Sequence, residues 1–292
     1  MDHPVRLKLL FIVNSRSGHG GINFSEAIAG QCQQLKHDAV IYTLPDTCSP
    51  GTLEAQVRQA APDRVIAVGG DGTLKLVAEC LLHTGIPMGI IAAGSANGMA
   101  RELGIPAELP EALELAVNGP LRHIHVVKVN GELCIHLCDM GFNAFVVREF
   151  EKRQRRGMWG YVMAAWRVFW RRPSMQADIR IDGQSIRRNA AMIVVANATQ
   201  YGNGVIINPG GRLDDELFEV VIVRKVSFAE IFKMRVTHRP FDPSKTEQFH
   251  TAALRIKSRR KVHFQVDGEY KGKVNTLHAE VLPAALCIVG NS

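Results

Sequence analysis

The sequence predicts an α/β domain followed by a β-rich domain, on two observations. Up to Val117, short apolar runs alternate with segments of helical spacing, the pattern of a parallel sheet covered by helices on both faces. Beyond that point Asn130-Gly131 and Asp182-Gly183 stand between β-rich runs, and both dipeptides are strong hairpin signals. The change of pattern sets a boundary near residue 125: an α/β domain over 1–125, a β-sandwich over 126–282, and a last stretch, 283–292, able to return to the first. With 292 residues and 46% hydrophobic content, the chain can fill two such cores.

Taken in order, Leu7 to Val13 is a nearly continuous apolar run, as a strand buried on both faces would be. It ends at Asn14-Ser15-Arg16-Ser17-Gly18-His19-Gly20-Gly21. No Gly-Lys-Ser/Thr follows, so this loop lacks the lysine cradle of a P-loop, and an ordinary turn is its simplest reading. Helical spacing covers Phe24 to Leu35, a strand fits Ala39 to Thr43, and a second helix fits Thr52 to Ala60.

Next comes Val65-Ile66-Ala67-Val68-Gly69-Gly70-Asp71-Gly72-Thr73, a buried strand that empties into three glycines, a carboxylate and a hydroxyl. Gly69, Gly70 and Gly72 allow positive φ and let a ligand approach the backbone closely. The helix that follows, Leu74 to Leu82, would point its N-terminus at the loop, and that combination binds anions. A fourth strand, Met88 to Ile91, leads into Ala92-Ala93-Gly94-Ser95-Ala96-Asn97-Gly98-Met99-Ala100-Arg101, and a helix covers Pro110 to Val117. Ligands of parallel sheets bind beyond the carboxyl ends of the strands, where Asn14, Thr43 and Gly69 lie.

In the second half, strands are expected over Ile124 to Val129, Leu133 to Asp139, Gln176 to Ile181, Ala190 to Ala196, Leu217 to Val223, Phe249 to Lys257, Val262 to Val266 and Leu277 to Leu282, enough for a sandwich. Gly157 to Arg172 interrupts them. There Trp159, Tyr161, Val162, Ala165, Trp166, Phe169 and Trp170 permit an amphipathic helix flanked by arginines. Such a helix either packs its aromatic face on the sandwich or seats at a lipid interface. Cys134, His136 and Cys138 would share one face of a strand and read as core, a fourth metal ligand being absent from the pattern.

Composition narrows the class. No window reaches the ~18 apolar residues of a membrane span and no signal-peptide pattern opens the chain, so a cytoplasmic protein is expected. Six cysteines without a CxxC pair point to reduced thiols. The formal charge of +7 suits nucleic acid, an anionic membrane or a phosphorylated ligand. Neither an aromatic RNA-binding signature nor a helix-turn-helix is present, so nucleic acid is not expected as a partner. Basic clusters at Lys152 to Arg156, Arg171-Arg172, Arg187-Arg188 and Lys257 to Lys261 read as solvated segments or as sites of membrane-phosphate attraction.

With Gly69-Gly70-Asp71-Gly72-Thr73, Gly94-Ser95-Ala96-Asn97 followed by Ala100-Arg101, and Val266-Asp267-Gly268-Glu269 in this order, the chain resembles the diacylglycerol kinase catalytic family, and most of all its bacterial lipid kinases. The first motif alone is shared with NAD kinases and phosphofructokinases. The resemblance implies an α/β domain like theirs, an antiparallel β-sandwich and an ATP cleft between the two. It implies transfer of the γ-phosphoryl group of ATP, with Mg²⁺, to a hydroxyl of diacylglycerol or a related lipid. By motif matching, Asn14, Thr43, Gly69, Gly70, Asp71, Gly72, Thr73 and Ser95 fall where the family contacts nucleotide. Asp267 falls on the general base, with Glu269 orienting it or sharing a metal. Asp215 matches the aspartate of a structural Mg²⁺ loop, with the carbonyls of Arg212 and Leu217 as further ligands.

The chain departs from the family at Ser15, commonly proline, at Gly98, commonly aspartate, and at Glu216, commonly glycine. Two alternatives stay open. One is an NAD kinase, which would use the same Gly69 to Thr73 loop and against which stands the absence of an Asn-Glu dipeptide; the other, suggested by Ser15 and Gly98, is a non-catalytic nucleotide or lipid sensor, against which stands the intact Asp267-Gly268-Glu269. The expected partners are a lipid substrate and an anionic membrane visited peripherally at its inner face. A homodimer is compatible with the sequence.

Overall fold

A computed structural model describes residues 6–17, 24–35, 37–152, 158–199, 206–227 and 243–290. The loop glycines from Gly18 to Gly21 and the basic run from Arg153 to Arg156 lie outside the described residues. The chain forms two compact units, Met1–Ile124 with Ala284–Ser292, and His125–Pro283.

The first unit alternates strands and helices: β1 (Lys8–Val13), α1 (Phe24–Leu35), β2 (Asp38–Thr43), α2 (Pro50–Ala60), β3 (Arg64–Gly69), α3 (Asp71–Leu81), β4 (Met88–Ala92), α4 (Gly98–Glu102) and α5 (Leu109–Asn118). The strands pair in parallel in the order β2-β1-β3-β4. Because the last five residues of β1 and of β3 are all buried, these strands are apolar throughout rather than alternating. Leu9, Phe11, Ile28, Ile66, Leu113 and Val117 are central to the core. Helix α2 starts two residues earlier than the spacing predicts. Ser49 accepts a hydrogen bond from the Thr52 N–H and Pro50 takes the first turn, where its missing N–H costs nothing.

The second unit contains β5 (Leu121–Val129, from its His125 onward), β6 (Glu132–Cys134), β7 (Leu137–Gly141), α6 (Phe142–Glu151), α7 (Met158–Trp170), β8 (Met175–Ile181), β9 (Gln184–Ala190), β10 (Met192–Ala196), β11 (Phe218–Val223), β12 (Thr246–Thr251), β13 (Ala253–Val266) and most of β14 (Glu269–Val289). Its pairings are antiparallel, in the order β12-β11-β10-β7-β13, with β8 and β14 also on β13 and β9 on β8. The end of β14 belongs to the first unit, where Ile288 pairs with Met88 in parallel. One apolar core joins Val127, Cys134, Cys138, Ile179, Phe218, Phe264 and Leu277, and a second joins α6 and α7 to β10 and β11.

Four expectations are corrected. A single strand over Leu133 to Asp139 is two short ones, broken at Ile135-His136, where the backbone N–H groups turn to a carboxylate instead of a neighbouring strand. Cys134, His136 and Cys138 therefore do not share a continuous strand. Helix α6 was not foreseen: β7 passes straight into it through Gly141 at φ +109°, and a Cβ there would meet the Ala191 carbonyl at 2.4 Å. The strand expected over Phe249 to Lys257 is divided at Ala252, and Ala253–Val266 runs on as one strand with a bulge between Lys257 and Val262. The basic cluster at Lys257 to Lys261 is thus part of an extended strand. All six cysteines are free, and no helix among the described residues is long and apolar enough to cross a membrane.

Candidate active site

The glycine motif joins the end of β3 to the start of α3. None of Gly69, Gly70 and Gly72 uses the positive φ that glycine allows. Close packing requires Gly69 and is tight at Gly70, where a Cβ would lie 3.2 Å from the Gly94 Cα. A Cβ on Gly69 would lie 2.4 Å from Thr73 Oγ1, and a Cβ on Gly94 would lie 2.5 Å from the Gly70 Cα, so the two glycine loops rest directly on each other. Gly72 differs: a Cβ there meets nothing within 4 Å. The first N–H groups of a helix have no intrahelical partner, so the start of α3 is suited to an anion.

Asn14 ties this motif to β1. Its N–H donates to the Val68 carbonyl (3.0 Å), its Nδ2 donates to Thr73 Oγ1 (3.1 Å), and its Oδ1 accepts from the Arg16 N–H (3.1 Å). Beyond the carboxyl ends of β1 and β2 lies a cavity of about 200 Å³ lined by Asn14, Arg16, Leu44, Gly72, Thr73 and Leu76 among others. Thr43, exposed, ends β2 one residue before Leu44. Arg16 forms an ion pair with Asp46, which also lines the cavity.

Asp71 and Ser95 are placed differently. The Asp71 carboxylate accepts the N–H groups of Gly98 (3.1 Å) and Met99 (3.2 Å), so it caps α4. Asn97, at φ +51°, closes the second loop on itself through bonds with the Gly94 N–H and carbonyl. Ser95 is exposed on that loop.

In the second unit, Asp267-Gly268 is a two-residue turn between β13 and β14, with Val266 paired to Glu269. Both turn residues have positive φ, +50° and +85°, as a type I′ hairpin demands. The side chain does more than turn. Its Oδ1 accepts the N–H groups of His136 (3.0 Å) and Leu137 (3.2 Å), and its Oδ2 accepts that of Ile135 (3.2 Å). Three consecutive N–H groups thus form a nest around one carboxylate. The main chain thus orients Asp267. Glu269 is exposed and pairs with Lys271 at 3.2 Å, which also pairs with Glu132 at 2.9 Å.

Behind the turn runs a buried polar chain that the sequence reading missed. The Gly268 N–H donates to Gln265 Oε1 (2.7 Å), Gln265 Nε2 to Asp139 Oδ2 (2.5 Å), and Asn143 Nδ2 to the same oxygen (2.6 Å). Tyr161 on α7 donates to Asn143 Oδ1. Burial, reinforced by the Asp139 charge, pushes the Tyr161 phenol well above its ordinary pKa, so it remains a donor. The available signal was a polar residue in an apolar run, Asp139 between Cys138 and Met140 and Gln265 between Phe264 and Val266.

The 212–217 loop is fastened to the body of the second unit. The His125 N–H donates to the Leu213 carbonyl (2.8 Å), and the Glu216 N–H donates to His125 Nδ1 (3.1 Å). Burial lowers the His125 pKa, which keeps that nitrogen an acceptor. Asp215 is exposed and its Oδ1 accepts the Leu217 N–H (3.1 Å), while Arg212 Nε donates to Asp214 (3.0 Å). Glu216 has φ +62°, a conformation that favours glycine. Among the described residues no three His, Cys, Asp or Glu side chains converge as a metal cluster would.

A β-α unit ending in a glycine loop, together with a β-rich unit that presents a clamped aspartate, offers the parts a phosphotransferase needs. The sequence profile of the diacylglycerol kinase catalytic domain matches residues 8–129, and that of the YegS C-terminal NAD kinase beta sandwich-like domain matches 137–290. The chain belongs to this family of lipid kinases. It is 30% identical over 243 residues to the probable lipid kinase YegS of Escherichia fergusonii, covering 79% of each chain. It is 27% identical over 227 residues to the diacylglycerol kinase of Bacillus subtilis, covering 75% of this chain and 74% of that one. A solved structure of a putative diacylglycerol kinase from Bacillus anthracis str. Sterne shares the fold, with a TM-score of 0.77 at 23% identity over 98% of this chain and 99% of that one.

Proposed function

We propose that this lipid kinase transfers the γ-phosphoryl group of ATP to a hydroxyl of diacylglycerol or a closely related lipid. The observation that carries the reading is the Asp267 carboxylate, held by the N–H groups of Ile135, His136 and Leu137. A general base must be fixed before it can act, and here the main chain fixes it. Asp267 takes the proton of the acceptor hydroxyl as that oxygen attacks the γ-phosphorus and the bond to the β-phosphate oxygen breaks, releasing ADP. Phosphoryl transfer asks for alignment and charge neutralisation more than for covalent chemistry, so one carboxylate suffices.

The donor is assigned to the cavity bounded by Asn14, Gly72 and Thr73, at the start of α3; Thr43 ends β2 one residue before Leu44 of its lining, and Ser95 is exposed on the second glycine loop. Magnesium, when bound with the nucleotide, neutralises phosphate charge. A second cation at the 212–217 loop would be held by Asp215 and by the carbonyls of Arg212 and Leu217, an all-oxygen set of the kind magnesium takes. Asp71 serves the donor site indirectly, by fixing α4. Incubation with labelled ATP, Mg²⁺ and a panel of lipid alcohols tests the reading. Label should enter diacylglycerol or a relative with wild type and not with Asp267→Ala; equal labelling by the two would remove Asp267 from its role.

A further inference from the structure

All three tryptophans of the chain, Trp159, Trp166 and Trp170, fall on α7. Trp166 and Trp170 are 47% and 61% exposed, beside Val162 and Met163 at 42% and 48%. Of the six large hydrophobics exposed among the described residues, these four belong to this one helix. They form a stripe along one side, while Ala164, Ala165 and Val168 bury the other side in the core shared with α6. A helix that has already buried one apolar face and turns a second outward fits a second apolar medium.

The charges beside that stripe have one sign. Arg167, Arg171 and Arg172 stand at its C-terminal end, and no acidic residue occurs from Met158 to Pro173. Arg171 lies over the Phe145 ring, 5.1 Å from its centroid. A second copy of the face would bring the arginines of one helix toward those of the other, with no carboxylate on either α7 to answer them. An anionic bilayer offers both an apolar interior and phosphates.

We infer that α7 docks the protein on an anionic bilayer surface, seating Trp166 and Trp170 at the boundary between headgroups and acyl chains while Arg171 and Arg172 meet lipid phosphates. The inference deepens the lipid-kinase reading, because an acceptor lodged in a bilayer must be met at its surface. Tyr161 joins the docking helix to the polar chain that ends at Gly268, beside the base.

With every tryptophan on α7, intrinsic fluorescence reports on this helix alone. On vesicles of phosphatidylglycerol and phosphatidylcholine, without ATP, emission should shift to the blue and be quenched by acyl chains carrying bromine. Vesicles of phosphatidylcholine alone should bind more weakly. Trp166→Ser with Trp170→Ser should lower the vesicle affinity about tenfold or more in sedimentation. Arg171→Glu with Arg172→Glu should abolish the preference for anionic lipid. Phosphoryl transfer to a short-chain diacylglycerol dispersed in water should survive the tryptophan changes, which shows that the variant is folded and separates docking from catalysis.

Unchanged emission with wild type, or equal sedimentation of the tryptophan variant, overturns the proposal. So does a dimer in analytical ultracentrifugation that the tryptophan changes dissolve, since the face would then belong to a second copy. Vesicle binding as expected, with no transfer to any lipid by wild type, would leave docking intact and sink the kinase reading instead.

Discussion

Asp267 and Leu137 exchange two hydrogen bonds: the Asp267 N–H donates to the Leu137 carbonyl at 2.9 Å, and the Leu137 N–H donates to Asp267 Oδ1 at 3.2 Å. Residues 130 positions apart are thereby locked, and the break between β6 and β7 is the local consequence. Asp267→Asn keeps the shape but sets an NH₂ against N–H donors. It should cost about 1–3 kcal/mol in urea unfolding. If Asp267 is also the base, kcat should fall roughly 10²- to 10⁴-fold. A stability loss with kcat retained would make the clamp purely structural.

Gln265 reaches the turn from behind, holding the Gly268 N–H while donating to Asp139. It touches no substrate in this reading, so its part is positioning. Gln265→Leu should lower kcat, on the order of tenfold to a hundredfold, and leave KM for ATP and lipid unchanged. Gln265→Glu should be worse in stability, because it opposes two carboxylates inside the core. A change confined to KM would place Gln265 in acceptor binding instead.

The glycines of the first motif separate by experiment. Gly69→Ala drives a methyl into Thr73 and should cost about 1–3 kcal/mol in thermal unfolding. Gly72→Ala meets no atom and lies in the first turn of α3, where alanine is favoured, so stability should rise by about 0.5–1 kcal/mol. Its methyl enters the cavity wall, and ATP affinity in calorimetry should fall. Unchanged affinity in the stabilised variant would move the nucleotide away from this loop.

How far the sequence could be read follows from the range of each interaction. The parallel strands and the turns at Asn130-Gly131 and Asp182-Gly183 were legible because apolar runs and Asn-Gly or Asp-Gly pairs act locally, and all four turn residues have positive φ. Helix α6 was not, because Phe142 to Val147 is buried throughout, and a short apolar run continuing from a strand does not by itself tell helix from strand. Asp267 was found by motif, yet its clamp and the Gln265–Asp139 support depend on partners more than a hundred residues away. The long reach of β13 past Lys257 was hidden by Arg259, Arg260 and Lys261, which point to solvent from a bulged strand.

His263 gives a pH signature that is independent of catalysis. Its ring stacks on Phe145 at 4.2 Å between centroids and 11° between planes, and Nδ1 lies 2.8 Å from the Tyr270 hydroxyl. Burial first, then the charges of Lys273, Arg148 and Lys152, lower its pKa from 6.5 to about 4, with Glu149 opposing. The folded protein therefore keeps His263 neutral where the unfolded chain is already protonated. Between these two values the unfolded state binds more protons, so stability rises with pH, is complete above about 6.5 and is lost as pH falls toward about 4. The imidazole C2 proton should titrate near the lower value by NMR. His263→Phe keeps the stack on Phe145 and removes the titrating group, so the fall in Tm from neutral pH to about 4 should become shallower than in wild type. An unchanged slope, or a titration at the ordinary histidine value, would show that the ring is more open to water than its packing on Phe145 and Tyr270 implies.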